Sequence, residues 1–145
     1  MFTCQQFNEL SPLVLYKIMK ARSEVFVVEQ NCVYLDADGK DMKAHHLIYW
    51  KSNEIAAYTR LLPPGISYNE MSIGRVLTTS QFRNHGFGKT LMQESIMQCR
   101  ILYGHGDIVI GAQLYLKNFY ESFGFMQEGE IYMEDNIPHI IMRLV

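Results

Sequence analysis

Three cysteines in 145 residues, Cys4, Cys32 and Cys99, are odd in number and too far apart for a disulfide framework. The expectation is a reduced chain of the cytoplasm. No apolar run approaches the ~20 residues of a membrane-spanning helix. The opening MFTCQQFNEL has no basic stretch leading into an apolar one, so neither a membrane partner nor a secretory signal is expected. A basic excess is also missing. Thirteen Lys and Arg against 15 Asp and Glu leave a net charge of −2, which argues against nucleic acid as the partner. Repeats, low-complexity tracts and linkers are absent, so residues 1–145 read as one domain. With 48% hydrophobic residues, that domain has material for a real core.

What is present is periodic. TCQQF reads as a first strand. In LSPLVLYKIMKARSEVFVVEQ, Ser11 suits an N-cap and Pro12 the first helical position. Leu15, Ile18, Met19, Arg22 and Phe26 recur at helical spacing, which predicts a helix to about Val25. NCVYLDADGKDMK reads as a polar turn. AHHLIYWKS and EIAAYTRLL read as strands joined at Ser52-Asn53, PPGISYNE as a loop, and MSIGRVLTT as a further strand. Leu91, Ser95, Cys99 and Leu102 mark one face of a helix ending near Gly104. DIVIGA reads as a buried strand, and LYLKNFYESFG as a short helix stopped by Gly124. FMQEGEIYM and IPHIIMRLV close the chain as two strands around Asp135-Asn136. The order β-α-β-β-β-α-β-α-β-β predicts an α/β (α+β) mixed sheet with helices packed on it.

The stretch RNHGFGKT, Arg83 to Thr90, ends like a nucleotide-binding P-loop. That motif needs a further glycine at position 83, which is arginine. A dinucleotide fingerprint would need a glycine at position 91, which is Leu91. What remains is an anion site: Gly86 and Gly88 let backbone N–H groups turn outward where a helix begins, and Arg83 and Lys89 add donors. The competing reading is a strand-to-helix turn with two solvated basic residues.

Arg83-x-x-Gly86-x-Gly88, between the strand IGRVLTT and an amphipathic helix, resembles the acetyl-CoA pyrophosphate loop of the GNAT N-acetyltransferase superfamily. NFYESFGF, Asn118 to Phe125, resembles that superfamily's second signature, with an asparagine, a tyrosine and a Gly-Phe on and after a short helix. RSEVFVVEQNCVYLDADGKD, IGRV, GAQLYLKNFYESFGF and EDNIPHIIM are similar to the ElaA-like branch of small bacterial GNAT proteins, and this likeness covers nearly the whole chain. The resemblance implies an acyl-CoA N-acyltransferase fold, with a central, mostly antiparallel sheet and helices on both faces. It also implies acetyl-CoA as cosubstrate, and a small-molecule, peptide or protein amine as acceptor. Relatives often pair, so a homodimer is carried over as an expectation.

Acetyl transfer to an amine needs a held cosubstrate, a deprotonated amine, an oxyanion donor and a proton for the leaving thiolate. By resemblance, the strand Val76-Leu77-Thr78 offers backbone groups to the pantetheine arm, with the N–H of Leu77 or Thr78 as oxyanion donor. Residues Arg83, Asn84, His85, Gly86, Phe87, Gly88 and Lys89 would cradle the pyrophosphate, mostly through main-chain N–H groups. Tyr120 holds the position of the general acid, although packing is the ordinary fate of a tyrosine on the same face as Leu116. Asn118 would bond the pantetheine or cap its turn.

No base stands out. Glu29 borders the acceptor site by resemblance and reads as a structural or substrate-orienting carboxylate more readily than as a base. His45 and His46 fall on opposite strand faces, so at most one faces the site, and each reads first as a surface histidine. Glu24, Glu29, Asp36, Asp38 and Asp41 read first as a solvated helix end and turn, and second as a negative potential that draws in a cationic amine. YLDADGKD is not a calcium loop, because its twelfth position is His45 rather than a glutamate, so no metal is expected. Cys32 reads as a buried thiol rather than an acyl carrier, and His139 as a satisfied sheet histidine with a substrate role left open. The leading function is direct acetyl transfer in a ternary complex. The lack of an obvious base keeps a non-catalytic acyl-CoA-binding regulatory module as the alternative, and Gly-Lys-Thr keeps a nucleotide binder as a third.

Overall fold

Seven strands and three α-helices follow one another in the order the periodicity predicts. The computed structural model describes residues 1–145. The strands are β1 Phe2–Gln6, β2 His45–Lys51, β3 Glu54–Leu62, β4 Ser72–Thr78, β5 Ile108–Gln113, β6 Met126–Glu134 and β7 Ile137–Leu144. The helices are α1 Pro12–Arg22, α2 Phe87–Tyr103 and α3 Lys117–Glu121. The sheet is split in two: one part has the order β1-β2-β3-β4 and the other β5-β7-β6, with every ladder antiparallel. The parts meet at one parallel bridge, Met71 with Ile108, where the Val109 N–H donates to the Met71 carbonyl at 3.0 Å. No ladder joins β4 to β5 beyond that bridge, and the gap opens toward their C-terminal ends.

The local chemistry accounts for the elements. Ser11 Oγ accepts the Val14 N–H at 3.2 Å, and Pro12 starts α1 where no N–H is needed. Both hairpins turn on residue pairs with positive φ, 49° and 62° at Ser52 and Asn53 and 50° and 62° at Asp135 and Asn136. These are the turns that match strand twist. Gly104, at φ 98°, ends α2, and Gly124, at φ 100°, ends the turn after α3.

Hydrophobic residues pack on both faces of the sheet. A larger core joins α2, α3 and β5–β7 to Leu47, Ala57, Leu61 and Ile73, and a smaller one sets Ile18, Ala21 and Val25 on Ile48, Tyr58 and Leu77. Leu91 and Met92 on α2 are fully buried, each contributing about 1.5–3 kcal/mol against exposure. Buried Ser95 donates to the Leu91 carbonyl at 2.7 Å and sits 2.8 Å from Thr59 Oγ1, tying α2 to β3 without an unpaired hydroxyl.

Two expectations about the first helix and its following turn need correction. The α-helix stops at Arg22 rather than near Val25, and the chain runs on as a π-helical turn, Ser23–Glu29. Such a widened turn re-aims the residues after it. The turn that follows is not a solvated acidic segment either. Asp36 and Asp41 are buried. Arg22 lies 2.8 Å from Asp36 and 2.6 Å from Asp41, Arg60 lies 2.7 Å from Asp38 and 3.0 Å from Asp41, and Arg75 lies 2.8 Å from Asp36. Three aspartates meet three arginines, so the potential expected from this segment is cancelled at its source. Glu24 is exposed beside Lys20, as a solvated helix end should be.

Candidate active site

β4 carries a bulge. Between its pairings of Tyr58 with Leu77 and Arg60 with Gly74 it spends one residue more than β3, and Arg75 takes φ 50°. A positive φ is uncommon for a side chain with a Cβ and persists only when neighbours hold it. Here Asp36 and Asp38 do so: Arg75 Nη2 donates to the Asp36 carbonyl at 3.0 Å and lies 3.4 Å from Asp38 Oδ2. The extra residue turns the strand over. Ile73 and Val76 therefore pack on the α2 core, and Leu77 on the α1 core.

That reversal decides where the backbone of β4 points. The Thr79 N–H donates to the Ala56 carbonyl at 3.0 Å, in register with the Thr78–Ala57 and Leu77–Tyr58 pairs. Alternation in an antiparallel ladder then turns the Thr78 N–H away from β3, toward the gap, and the Leu77 N–H back into the ladder. Of the two expected oxyanion donors, the geometry favours Thr78.

The gap is the floor of a cleft of about 840 Å³, lined among others by Glu29, Val76, Leu77, Thr78, Arg83 and Tyr120. At its loop end, Gly86 takes φ 76° as N-cap of α2, with no side chain capping the helix. The first N–H groups of α2 are thus left for an outside acceptor. Gly88 faces inward: a Cβ there would stand 3.8 Å from Thr78 Oγ1 and 3.8 Å from Phe119 Cζ. Asn84, at φ 67°, His85 and Lys89 are exposed on this loop. Phe87 packs instead of pointing to the cleft, its ring 5.2 Å from Tyr49 and 6.3 Å from Phe82. Asn118 is exposed and does not line the cleft.

Tyr120 is buried against Phe119 and Phe125, ring centroids 5.2 and 6.0 Å away, yet its hydroxyl reaches the cleft and bonds no protein group. Burial, then the neighbouring Tyr115, pushes the phenol well above its ordinary value, so it stays protonated. Glu29 ends the π-helical turn and pairs with Arg83 at 2.7 Å, while Arg83 Nε donates to the Thr78 carbonyl at 3.0 Å. The glycine loop, the end of β4 and the first helical segment are joined by that one arginine.

The two histidines considered for the acceptor side lie elsewhere. His46 is 1% exposed and held by the Tyr58 hydroxyl at 2.7 Å and the Asp41 carbonyl at 3.0 Å. His45 lies 2.7 Å from the Tyr103 hydroxyl. Burial lowers the affinity of both for a proton. Neither is the surface group expected, because the tyrosines opposite them fill the faces they occupy.

The family model for the acetyltransferase (GNAT) domain matches residues 15–145. The chain belongs to the GNAT acetyltransferase family. Protein ElaA of Escherichia coli is 41% identical over 137 residues, 93% of this chain and 90% of its own. Its crystal structure superposes with a TM-score of 0.93 at 37% identity, covering 100% of this chain and 99% of that one. An acyl-CoA N-acyltransferase from Pseudomonas aeruginosa gives 0.95 at 37%, again over 100% and 99%. An aminoglycoside 6′-N-acetyltransferase complexed with coenzyme A, 14% identical over 97% of this chain and 95% of its own, shares the fold at a TM-score of 0.71. As a GNAT protein the chain is an acyl-CoA-dependent acyltransferase, with the expected fold and the ElaA-like kinship.

Sequence reading missed the bulge at Arg75, the pairing of Gln30 with Gln113 at 3.3 Å, and the gathering of Tyr68, Tyr132 and Glu134 around His139, the histidine whose substrate role the sequence left open. Gly111 in DIVIGA, a glycine inside a strand pattern, was a further signal of that close approach.

Proposed function

We propose that this GNAT protein is an N-acetyltransferase that moves the acetyl group of acetyl-CoA directly to a primary amine in a ternary complex. The observation that carries the proposal is the unpaired flank of β4, with the Thr78 N–H turned into a cleft that also holds a protonated, unpartnered Tyr120 hydroxyl. The residues present suit the cosubstrate. The uncapped start of α2, from Gly86 to Lys89, would take the diphosphate, and the Val76–Thr78 flank would take the amide-bearing arm as an added strand. Acetyl-CoA supplies an activated acyl group and a thiolate leaving group.

The Thr78 N–H donates to the oxygen that becomes negative when the acyl carbon is attacked, and the Tyr120 hydroxyl gives the leaving sulfur its proton. Arg83 reaches the diphosphate by exchanging Glu29 for phosphate oxygens, a better match for its donors.

Mixing the protein with acetyl-CoA and a panel of primary amines, while following free thiol and acetylated product, tests this reading. Amine-dependent thiol release is expected. Tight acetyl-CoA binding by calorimetry with no product from any amine would establish a binding module instead.

A further inference from the structure

The cleft holds four carboxylates, those of Glu29, Asp38, Glu134 and Asp135. Arg83 pairs with Glu29, and Arg60 with Asp38. No arginine or lysine pairs with Glu134 or Asp135. The one ionisable partner of Glu134 is His139 on β7, whose Nε2 lies 3.4 Å from Glu134 Oε2.

The hydrogen bonds of His139 fix its tautomer. Nδ1 lies 2.7 Å from the Ile137 carbonyl, which can only accept, so Nδ1 carries the hydrogen. The Nε2 lone pair of the neutral ring is then directed toward Glu134 and the cleft, and a proton gained there would face a carboxylate. The side chain is 9% exposed and lines the cleft.

The surroundings of His139 form a polar floor. Its ring lies 5.7 Å from that of Tyr132. A Cβ on Gly111 would stand 2.9 Å from the Tyr68 hydroxyl and 3.0 Å from that of Tyr132, so glycine alone lets both phenols meet over β5. Neither hydroxyl has a hydrogen-bond partner within the protein. Burial raises both phenols, Tyr132 to about 12, and the charge of Glu134 acts on both.

Register places this floor relative to Thr78. His139 pairs with Gln113 on β5. Counting from the Met71–Ile108 bridge, with one residue for the bulge, Gln113 is level with Leu77. His139 therefore stands two strands from β4, across the gap, and lines the same cleft as Thr78 and Tyr120.

We propose that His139, positioned by Glu134, is the general base for the acceptor, and that the acceptor is a basic primary amine arriving as an ammonium cation. The inference rests on the acetyl-transfer reading. Unneutralised Glu134 draws the cation in, and His139 Nε2 takes one of its protons. The freed lone pair forms the C–N bond, the C–S bond breaks, and sulfur leaves with the proton of Tyr120. The proton shed by the new amide nitrogen restores the phenol, and the imidazolium releases its own to solvent. The sum is ammonium and thioester giving amide, thiol and one proton.

Two amine probes isolate this step, with free thiol as the readout at neutral pH. Benzylamine is an ammonium there, whereas hydroxylamine is already a free base. His139→Gln should lower kcat/KM for benzylamine roughly 10²–10⁴-fold, the usual contribution of a general base, and that for hydroxylamine less than about threefold. Glu134→Gln, an exposed and structurally mild change, should show the same split in kcat more weakly, with Glu134→Asp recovering part of the loss. Acetyl-CoA affinity by calorimetry should be unchanged in all three variants, which also reports that they fold. Equal losses for the two amines, or undiminished benzylamine turnover in His139→Gln, would overturn the assignment alone. Wild-type protein that binds acetyl-CoA but acetylates neither amine would overturn the transfer reading and this inference together.

Discussion

Replacing Tyr120 with phenylalanine separates packing from chemistry, because the ring and the hydroxyl do different things. The ring is buried against Phe119 and Phe125 and stays in the variant. The hydroxyl bonds no protein group, so its removal breaks no internal hydrogen bond and should change stability by no more than about 1 kcal/mol in either direction. Chemistry is another matter. A general acid is worth roughly 10²–10⁴ in rate, or about 2.7–5.4 kcal/mol of barrier at 1.36 kcal/mol per tenfold. Burial holds the phenol protonated throughout the neutral range, so the loss should not vary with pH between about 6 and 9 through titration of this group. The assay is thiol release at saturating acetyl-CoA, beside calorimetry for acetyl-CoA and a thermal melt. The expected result is a kcat lowered by two orders of magnitude or more, with cosubstrate affinity and melting temperature nearly unchanged. Activity within about threefold of wild type would remove Tyr120 from the reaction, since even a weak acid contributes more. A fall of many degrees in melting temperature would show instead that the hydroxyl is a structural donor.

Asp41→Asn should cost about 3–5 kcal/mol in chemical unfolding, because Arg22 and Arg60 would then share a buried site short of one negative charge. The carboxyls of Asp38 and Asp41 are both held below the ordinary value of 3.8; burial opposes this, and the hydrogen bonds and charges of Arg60 and Arg22 outweigh it. The stability they supply is complete above that value and lost as pH falls through the depressed folded values, so acid unfolding should begin below about pH 4 and be shallower in Asp41→Asn. Glu29→Gln frees Arg83 from a half-exposed ion pair worth about 0–1 kcal/mol, so acetyl-CoA should bind up to about fivefold more tightly, and less so at high salt. Gly86→Ala meets no atom within 4 Å but must hold φ 76°, so about 1–2 kcal/mol of stability should go to backbone strain alone, read from denaturant midpoints.

Elements whose cause is local were readable in the sequence. Ser11 and Pro12 announce α1, Leu91, Ser95 and Cys99 announce α2, and the Ser52-Asn53 and Asp135-Asn136 pairs announce turns because those positions tolerate positive φ. Features that depend on distant partners were not. The bulge at Arg75 is held by Asp36, 39 residues earlier, and nothing in IGRV alone marks an arginine at φ 50°. Asp36, Asp38 and Asp41 look like a solvated turn until folding delivers Arg22, Arg60 and Arg75 to them. His139 looked like a sheet residue because its partner Glu134 lies across a hairpin, and the Tyr68 hydroxyl that faces Gly111 comes from a loop in the other half of the sheet. The glycine loop was legible as the turn that opens α2. That its arginine is already engaged by Glu29 and the Thr78 carbonyl was not.

The split in the sheet and the ion network have one physical consequence in common. β5 joins β4 through a single bridge, so the flank of β4 beyond Met71 has donors and acceptors that an antiparallel neighbour would have consumed. A bare strand edge ordinarily invites pairing with any extended chain, and proteins blunt such edges with bulges and charge. Here the bulge does not blunt the edge but aims it, because Asp36 and Asp38 hold Arg75 on the α1 side while Thr78 turns into the gap. Because the same aspartates are neutralised by the arginines they hold, they add no field to the cleft. The charges of the cleft outside that network are the Arg83–Glu29 pair near the glycine loop, Glu134 beside His139, Asp135, and Lys40, whose Nζ donates to Ser67 Oγ at 2.9 Å. A cleft built this way sets the Arg83 guanidinium beside the loop where a diphosphate would lie and the Glu134 and Asp135 carboxylates at the His139 end, in a chain whose net charge is only −2.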